Sequence, residues 1–167
     1  MEDLSIIEKS CAFCCGIMAE MGNLLEMSYQ KVNVILFCWV EPGICLGLWL
    51  VFLWGCLHFP WSRSLAWISL VLNSLLIATT AVLLCLSAII LAQHMNSTVS
   101  NPMAIINLNE TDPLFVNKFN ETVQALSDAG HKLGISYAAV NLIYYVLLLP
   151  IGIILGYCGI IKNLISQ

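Results

Sequence analysis

One acidic residue inside an apolar stretch is the first candidate for chemistry. Glu41 follows the run NVILFCWV (33–40) and precedes Pro42 and Gly43. An ionisable group within a membrane span is costly, so it should face the interior of a helix bundle or a water-filled cavity. Rings of such carboxylates line cation paths, and the position therefore indicates an ion path beside Glu41. The alternative is a span that begins near Gly43, which would leave Glu41 at an interfacial break.

The segment CAFCC brings together three thiols, those of Cys11, Cys14 and Cys15. A structural zinc site needs four ligands, and no histidine lies nearby to complete the set. We expect these cysteines to be small packing residues of a helix, with an interchain disulfide or lipidation as the alternatives. No metal site and no cofactor is predicted.

Nothing else in the sequence has the pattern of a catalytic site. The three histidines, His58, His94 and His131, are separated by long segments, and none lies at a recognisable spacing from a Ser or Cys nucleophile. The chain is therefore predicted not to be an enzyme, and a small lipid-modifying enzyme is the less favoured alternative. No nucleic-acid partner is expected, because phosphate binding needs clustered Lys and Arg and the chain has six basic residues in all.

The segments that carry these residues are too apolar for a soluble protein. Of 167 residues, 10% are charged and 60% are hydrophobic, and the mean hydropathy is +0.90; a soluble domain has about 25% charged residues. Three apolar runs each exceed the roughly 20 residues that cross a bilayer. We predict an all-α integral membrane protein with transmembrane helices at 28–59, 64–93 and 134–161.

A phrase in the sequence occurs twice, 108 positions apart. SYQKVNVILFCWVEP (28–42) returns as SYAAVNLIYYVLLLP (136–150), with Ser, Tyr, Val, Asn and the final Pro among the identities. An amphipathic segment precedes each copy. These features predict two parallel repeats, each an amphipathic helix followed by a proline-broken span. Because one span lies between the copies, both amphipathic helices should lie on the same side of the membrane.

The amphipathic segments cover 1–27 and 112–133, and a polar, Asn-rich loop at 94–111 precedes the second. Thr111 or Asp112 is its predicted N-cap, with Pro113 in the first turn. Apolar residues at steps of three and four form a seam for oligomer contacts. The seam consists of Leu4, Ile7, Cys11, Cys14, Met18, Met21 and Leu25 in the first helix, and of Phe115, Phe119 and Leu126 in the second.

The repeated phrase places polar and small residues at matching depths. Tyr29 and Tyr137 suit the headgroup level, where amphipathic rings anchor a span. Asn33 and Asn141, one turn deeper, are predicted to make interhelical polar contacts. Each copy continues with a proline and two glycines four apart, a spacing that allows close helix packing: Pro42, Gly43 and Gly47 in the first, and Pro150, Gly152 and Gly156 in the second.

The basic residues divide unevenly between the two sides. Four lysines accompany the amino-terminus and the 94–133 loop, whereas Arg63 and Lys162 lie on the other side. Basic residues favour the cytoplasmic face, which places the amino-terminus inside. Glycosylation sequons in the same loop would favour the opposite orientation in a eukaryote; they begin at Asn96, Asn109 and Asn120.

A short helical chain with amphipathic seams, close-packing glycines and one acid in a span is typical of a membrane assembly. We expect a homo-oligomeric channel or pore-forming protein in the lipid bilayer that passes ions, cations above all. The alternative is a non-catalytic structural or accessory subunit of a larger complex, with other membrane subunits as its partners.

Overall fold

The computed structural model describes residues 5–56, 63–97 and 110–165. Helices make up 92% of these residues and no strand occurs among them, which confirms the all-α prediction. The predictions made for Leu4, His58 and Asn109 fall outside the described residues, as do those for the side chains of His94 and Asn96.

Seven α-helices and two π-helical segments occur within the described ranges. In chain order they are α1 (Ile6–Leu24), α2 (Tyr29–Asn33), π1 (Val34–Val40), α3 (Glu41–Cys56), α4 (Arg63–Ser97), α5 (Pro113–Leu133), α6 (Tyr137–Asn141), π2 (Leu142–Leu148) and α7 (Leu149–Ile165). The elements α2, π1 and α3 form one continuous helix, and so do α6, π2 and α7. Three stretches are long and apolar enough to cross a membrane, namely Tyr29–Gly55, Ala66–Gln93 and Tyr137–Ile165.

Pro42 and Pro150 widen their helices instead of breaking them. Proline has no N–H and its ring crowds the carbonyl four residues earlier. Immediately before each proline the chain is π-helical, and the N–H groups of Glu41 and Leu149 donate to carbonyls five residues back. The wider turn accommodates the ring while the helix continues. The proline break expected from the sequence is therefore a local widening.

The helices that follow the two amphipathic segments begin in the same way. Ser28 and Ser136 are their N-caps, each with φ −69° and ψ 154°, and each hydroxyl accepts a hydrogen bond from the backbone N–H three residues on. Before them, a Cβ atom added at Gly22 or Gly130 would lie 2.8 or 2.9 Å from a backbone carbonyl oxygen of the following turn. Both turns therefore need a glycine at this point.

The two amphipathic helices cross over to the opposite half of the chain. Helix α1 packs on α6 as well as on α2, and α5 packs on α2 as well as on α6. Beyond this junction α3 and α7 pack side by side, and α4 lies against α1, α3 and α7. One cluster of buried residues joins α3, α4 and α7 through Leu48, Leu70 and Ile160. Because of this crossing, both copies of the repeated phrase begin at the same junction, where α1 and α5 each contact α2 and α6.

Candidate functional site

Glu41 is the acidic residue within the first candidate span. It opens α3, directly after π1, and its side chain is half-buried. Its Oε2 atom is buried and has no hydrogen-bond partner among the described residues. Glu41 also takes no part in the ion pair found among the described residues, which joins Lys118 and Glu121 of α5 at 3.2 Å. A carboxylate this far from solvent is costly unless water or a cation lies beside it.

The acid at this position is not required by helix packing. The residue 108 positions later is Leu149, which opens α7 after π2 just as Glu41 opens α3. Leu149 is 9% exposed and belongs to the buried core. The local fold thus accepts an aliphatic residue where Glu41 stands.

The tyrosines and asparagines of the repeated phrase meet between α2 and α6. Tyr29, Asn33, Tyr137 and Asn141 line one small cavity of about 20 Å³. The Asn33 amide donates to the Tyr29 carbonyl at 2.9 Å, and the Asn141 amide donates to the Tyr137 hydroxyl at 3.1 Å. Both amides therefore bond within their own helix, not across to a neighbouring helix as the sequence analysis expected.

The tyrosine rings lie at this junction between helices. Tyr29 packs edge-on against Phe119 of α5, with 5.8 Å between the ring centroids. Tyr137 keeps 38% of its surface exposed. Below them, the rings of Phe37 and Tyr145 meet at a centroid distance of 4.3 Å. Phe37 and Tyr145 are themselves 108 positions apart, so equivalent positions of π1 and π2 contact each other.

The two pairs of spaced glycines have different surroundings. A Cβ atom added at Gly152 or Gly156 would lie 3.0 Å from a side-chain atom of α3, and the Trp49 indole donates to the Gly152 carbonyl at 3.0 Å. Apart from the backbone of its own helix, no atom of the described residues lies within 4 Å of a Cβ added at Gly43 or Gly47. The glycines of α7 thus make the close contact with α3, whereas those of α3 are open.

Three residues of the predicted seam, Met18, Met21 and Phe115, are buried within the same chain. Met18 and Met21 are buried in a cluster that includes Leu83 and Leu84 of α4. Phe115 is buried beside Trp39 and under the Lys31 ammonium, which lies 5.0 Å from its ring centroid. The remaining described seam residues are half-buried or exposed: Ile7, Cys11, Cys14, Leu25, Phe119 and Leu126.

The thiols of α1 lie close to one another. A hydrogen bond from Cys11 lowers the pKa of Cys15 to about 6, although burial acts in the opposite direction. The same hydrogen bond, together with burial, raises the pKa of Cys11. Within the described ranges no group of three or more Cys, His, Asp or Glu side chains is arranged to hold a metal ion.

The start of α5 is tied to the start of α2. The Ser28 hydroxyl donates to the Glu110 carboxylate at 2.6 Å, and this hydrogen bond is the main reason why the pKa of Glu110 is lowered from its ordinary value of 4.5. Asp112, one of the two predicted N-caps, accepts from the Leu114 N–H at 2.9 Å. The two amphipathic halves are thus joined at the end of the bundle where both helices lie.

A large apolar groove, which the sequence analysis missed, lies beside α5. Its cavity volume is about 810 Å³, and its walls come from α5, α6 and π2 with part of π1. We call it groove 2 and define it by Leu126, Ala129, Val140, Tyr144, Tyr145 and Leu148. The 108-residue offset is the sequence signal that could have indicated this groove. The six residues that define it correspond, 108 positions earlier, to residues of the cluster on which α4 packs in the first half.

The chain matches no family model, no curated protein and no solved structure. Its function is therefore inferred from the geometry of these sites.

Proposed function

We propose that this protein is a homo-oligomeric membrane channel that conducts cations, with Glu41 on or beside the path. The observation that carries the proposal is the half-buried carboxylate of Glu41, which has no hydrogen-bond partner for Oε2 among the described residues. In a bilayer such a group needs water or a cation nearby. A ring of these carboxylates from several copies would attract cations and repel anions.

The proposal places the chain in a membrane as three spans and two parallel repeats. Its support is the agreement between element bounds: α2, π1 and the start of α3 recur as α6, π2 and the start of α7, each 108 positions later. Repeats separated by one span cross in the same direction. The amino-terminus and the 94–133 loop then share one side, which the count of basic residues makes cytoplasmic.

Ion flux from liposomes tests the role of Glu41. We expect cation leak through wild-type protein and a loss of about tenfold in Glu41→Gln, the change that corresponds to about 1.4 kcal/mol of lost cation stabilisation. Glu41→Leu should behave likewise and remain folded, because Leu149 occupies the matching position. Asp128→Asn is the matched control, since Asp128 is an exposed acid of α5 whose amide replacement can still accept from Gln124.

A folded, inserted Glu41→Gln protein that conducts cations like the wild type would remove Glu41 from the path. Inserted wild-type protein that conducts no ions at all would contradict the channel.

A structural or accessory subunit is the second candidate function. Groove 2 favours it, because the cavity is large and apolar and has no occupant within the described chain. In this case the purified protein would conduct no ions and would form a stable complex with another membrane subunit through groove 2.

A further inference from the structure

In the first half of the chain, α4 packs on a surface that α1 forms together with residues of α2 and π1. Met18, Met21, Val32 and Leu36 form a buried cluster, and α4 packs on it through Leu83 and Leu84. We call this surface groove 1. Its floor is well covered, since its four cluster residues are between 2% and 6% exposed.

Groove 2 is built from the same positions in the second half. Adding 108 to the four residues of groove 1 gives Leu126, Ala129, Val140 and Tyr144, and all four line the large cavity. The flanking positions agree as well, because Phe37 and Val40 beside groove 1 correspond to Tyr145 and Leu148. The two grooves are therefore equivalent surfaces of the two halves.

The difference between the grooves is their cover. Leu36, in the cluster on which α4 packs, is 5% exposed, whereas its counterpart Tyr144 is 39% exposed. Val40 is half-buried, and its counterpart Leu148 is 57% exposed. The chain thus has two grooves for a helix such as α4 but only one such helix among its described elements.

The charges of groove 2 suit an uncharged occupant. The ionic groups that line it are Lys118 and Glu121, which pair with each other at 3.2 Å. The remainder of the wall is apolar apart from Thr122, a cysteine and two tyrosines. An anionic lipid headgroup would have to compete with Glu121 for the ammonium, whereas an apolar helix needs no charged contact.

The outer face of α4 has the character that groove 2 requires. No charged residue occurs from 66 to 93. Exposed residues recur on this face at alternating steps of four and three, the spacing of a helix-packing seam: Ile68, Leu72, Leu75, Thr79, Val82, Leu86 and Ile89. The opposite face of α4 is the one that fills groove 1.

We infer that groove 2 binds the outer face of α4 from a second copy of this chain. The inference deepens the proposed function and rests on it, because it names the interface of the proposed homo-oligomer. Each α4 then lies between groove 1 of its own chain and groove 2 of the next, so the new interface continues the existing α4 interface. Such a contact is head-to-tail, and it generates a ring when the rotation between copies closes.

The depth of the contact follows from the equivalence of the grooves. Leu83 and Leu84 pack on the groove 1 cluster, of which Leu36 is one member, so a helix at the same depth in groove 2 would bring residues 82–89 close to Tyr144. Tyr144 is 39% exposed, so we expect this position to accept the larger side chain of p-benzoylphenylalanine, with its benzoyl group in groove 2.

Photo-crosslinking in phosphatidylcholine liposomes tests this interface. Chains with Tyr144→p-benzoylphenylalanine are mixed with isotope-labelled chains that lack the photoreactive residue. We expect a crosslinked dimer whose isotope-labelled partner is joined at residues 82–89. The control is Ile154→p-benzoylphenylalanine, at a 60%-exposed position of α7 outside groove 2, which should give no crosslink to α4.

A second substitution makes the test specific to the groove. Ala129→Trp fills groove 2 without entering the buried core, and it should lower the crosslink yield at least tenfold while the helical circular dichroism spectrum is kept. Products with lipid alone, with the same chain, or with another part of the second copy would overturn the inference.

The outcomes separate the interface from the channel. Crosslinks at residues 82–89 without ion flux would support the interface and contradict the channel. Ion flux that persists in Ala129→Trp, without these crosslinks in the parent chain, would overturn the interface and leave the channel in place.

Discussion

Glu26 has a backbone conformation that its counterpart glycine adopts without strain. The φ angle is 55° at Glu26 and 68° at Gly134, the position 108 residues later. L-residues avoid this left-handed region because the Cβ atom crowds the following carbonyl, at about 1–2 kcal/mol per residue. Gly134 ends α5 by this conformation, while the first half makes the same turn with a glutamate. The turn at Glu26, which follows α1, is therefore strained.

We expect Glu26→Gly to raise the free energy of unfolding by about 1 kcal/mol, because the relieved strain exceeds the entropy that glycine loses on folding. Gly134→Ala should lower it by a similar amount. Thermal unfolding in detergent micelles measures both changes. Asn23→Gly, near the end of α1, is the matched control and should destabilise by roughly 0.5–1 kcal/mol. Equal destabilisation by Glu26→Gly and Asn23→Gly would show that Glu26 is not strained.

The hydrogen bond between Ser28 and Glu110 predicts a loss of stability in acid. The pKa of Glu110 is lower in the folded protein than its ordinary value of 4.5, chiefly because the Ser28 hydroxyl donates to the carboxylate. Its stabilising effect is fully present above pH 4.5 and is lost as the pH falls through the lowered value. Melting temperatures from pH 6 to pH 3 should therefore fall more steeply in the wild type than in Glu110→Gln. Parallel curves for the two proteins would contradict this effect.

The helices were predicted from the sequence better than the contacts between them. Hydropathy predicts the three long apolar helices because the length and apolarity that a membrane span requires can be read from the sequence alone, and Asp112 predicts the start of α5 because capping is local. The widening at Pro42 and Pro150 was not foreseen, since the residues before each proline carry no distinct π-helix signal. Which glycine pair packs depends on the neighbouring helix, which the local sequence does not specify.

The open and the packed glycines lead to opposite predictions for the same substitution. Gly47→Ala should raise the free energy of unfolding by up to about 1 kcal/mol, because alanine favours a helix and the added Cβ would meet no neighbouring helix among the described residues. Gly156→Ala should lower it by about 1–3 kcal/mol, because its Cβ would lie 3.0 Å from the Cβ of Leu48 and force α3 and α7 apart. Denaturant unfolding in micelles measures both. Equal effects of the two substitutions would contradict the observed α3–α7 contact.

The molecule as a whole joins two similar halves with one unmatched helix. The halves alone would give a two-fold arrangement in which α1 crosses to α6 and α5 crosses to α2. Helix α4 covers groove 1 and leaves groove 2 open, so the molecule is asymmetric at its surface although its halves correspond. The repeated phrase foretold the correspondence, but the asymmetry followed only from where α4 packs.

Both halves should face the same side of the membrane. We expect a membrane-impermeant amine reagent to modify the exposed lysines Lys9 and Lys132 together, because one span lies between the repeats and each crosses in the same direction. An epitope placed after Ile165 should be accessible from the opposite side, since three spans lie between it and α1. In intact cells the lysines should react only after permeabilisation, because their side of the membrane has four basic residues in all, against two on the other side. Modification of Lys9 without Lys132 in sealed vesicles would contradict the parallel arrangement, whereas modification of both in intact cells would reverse the orientation and keep the arrangement.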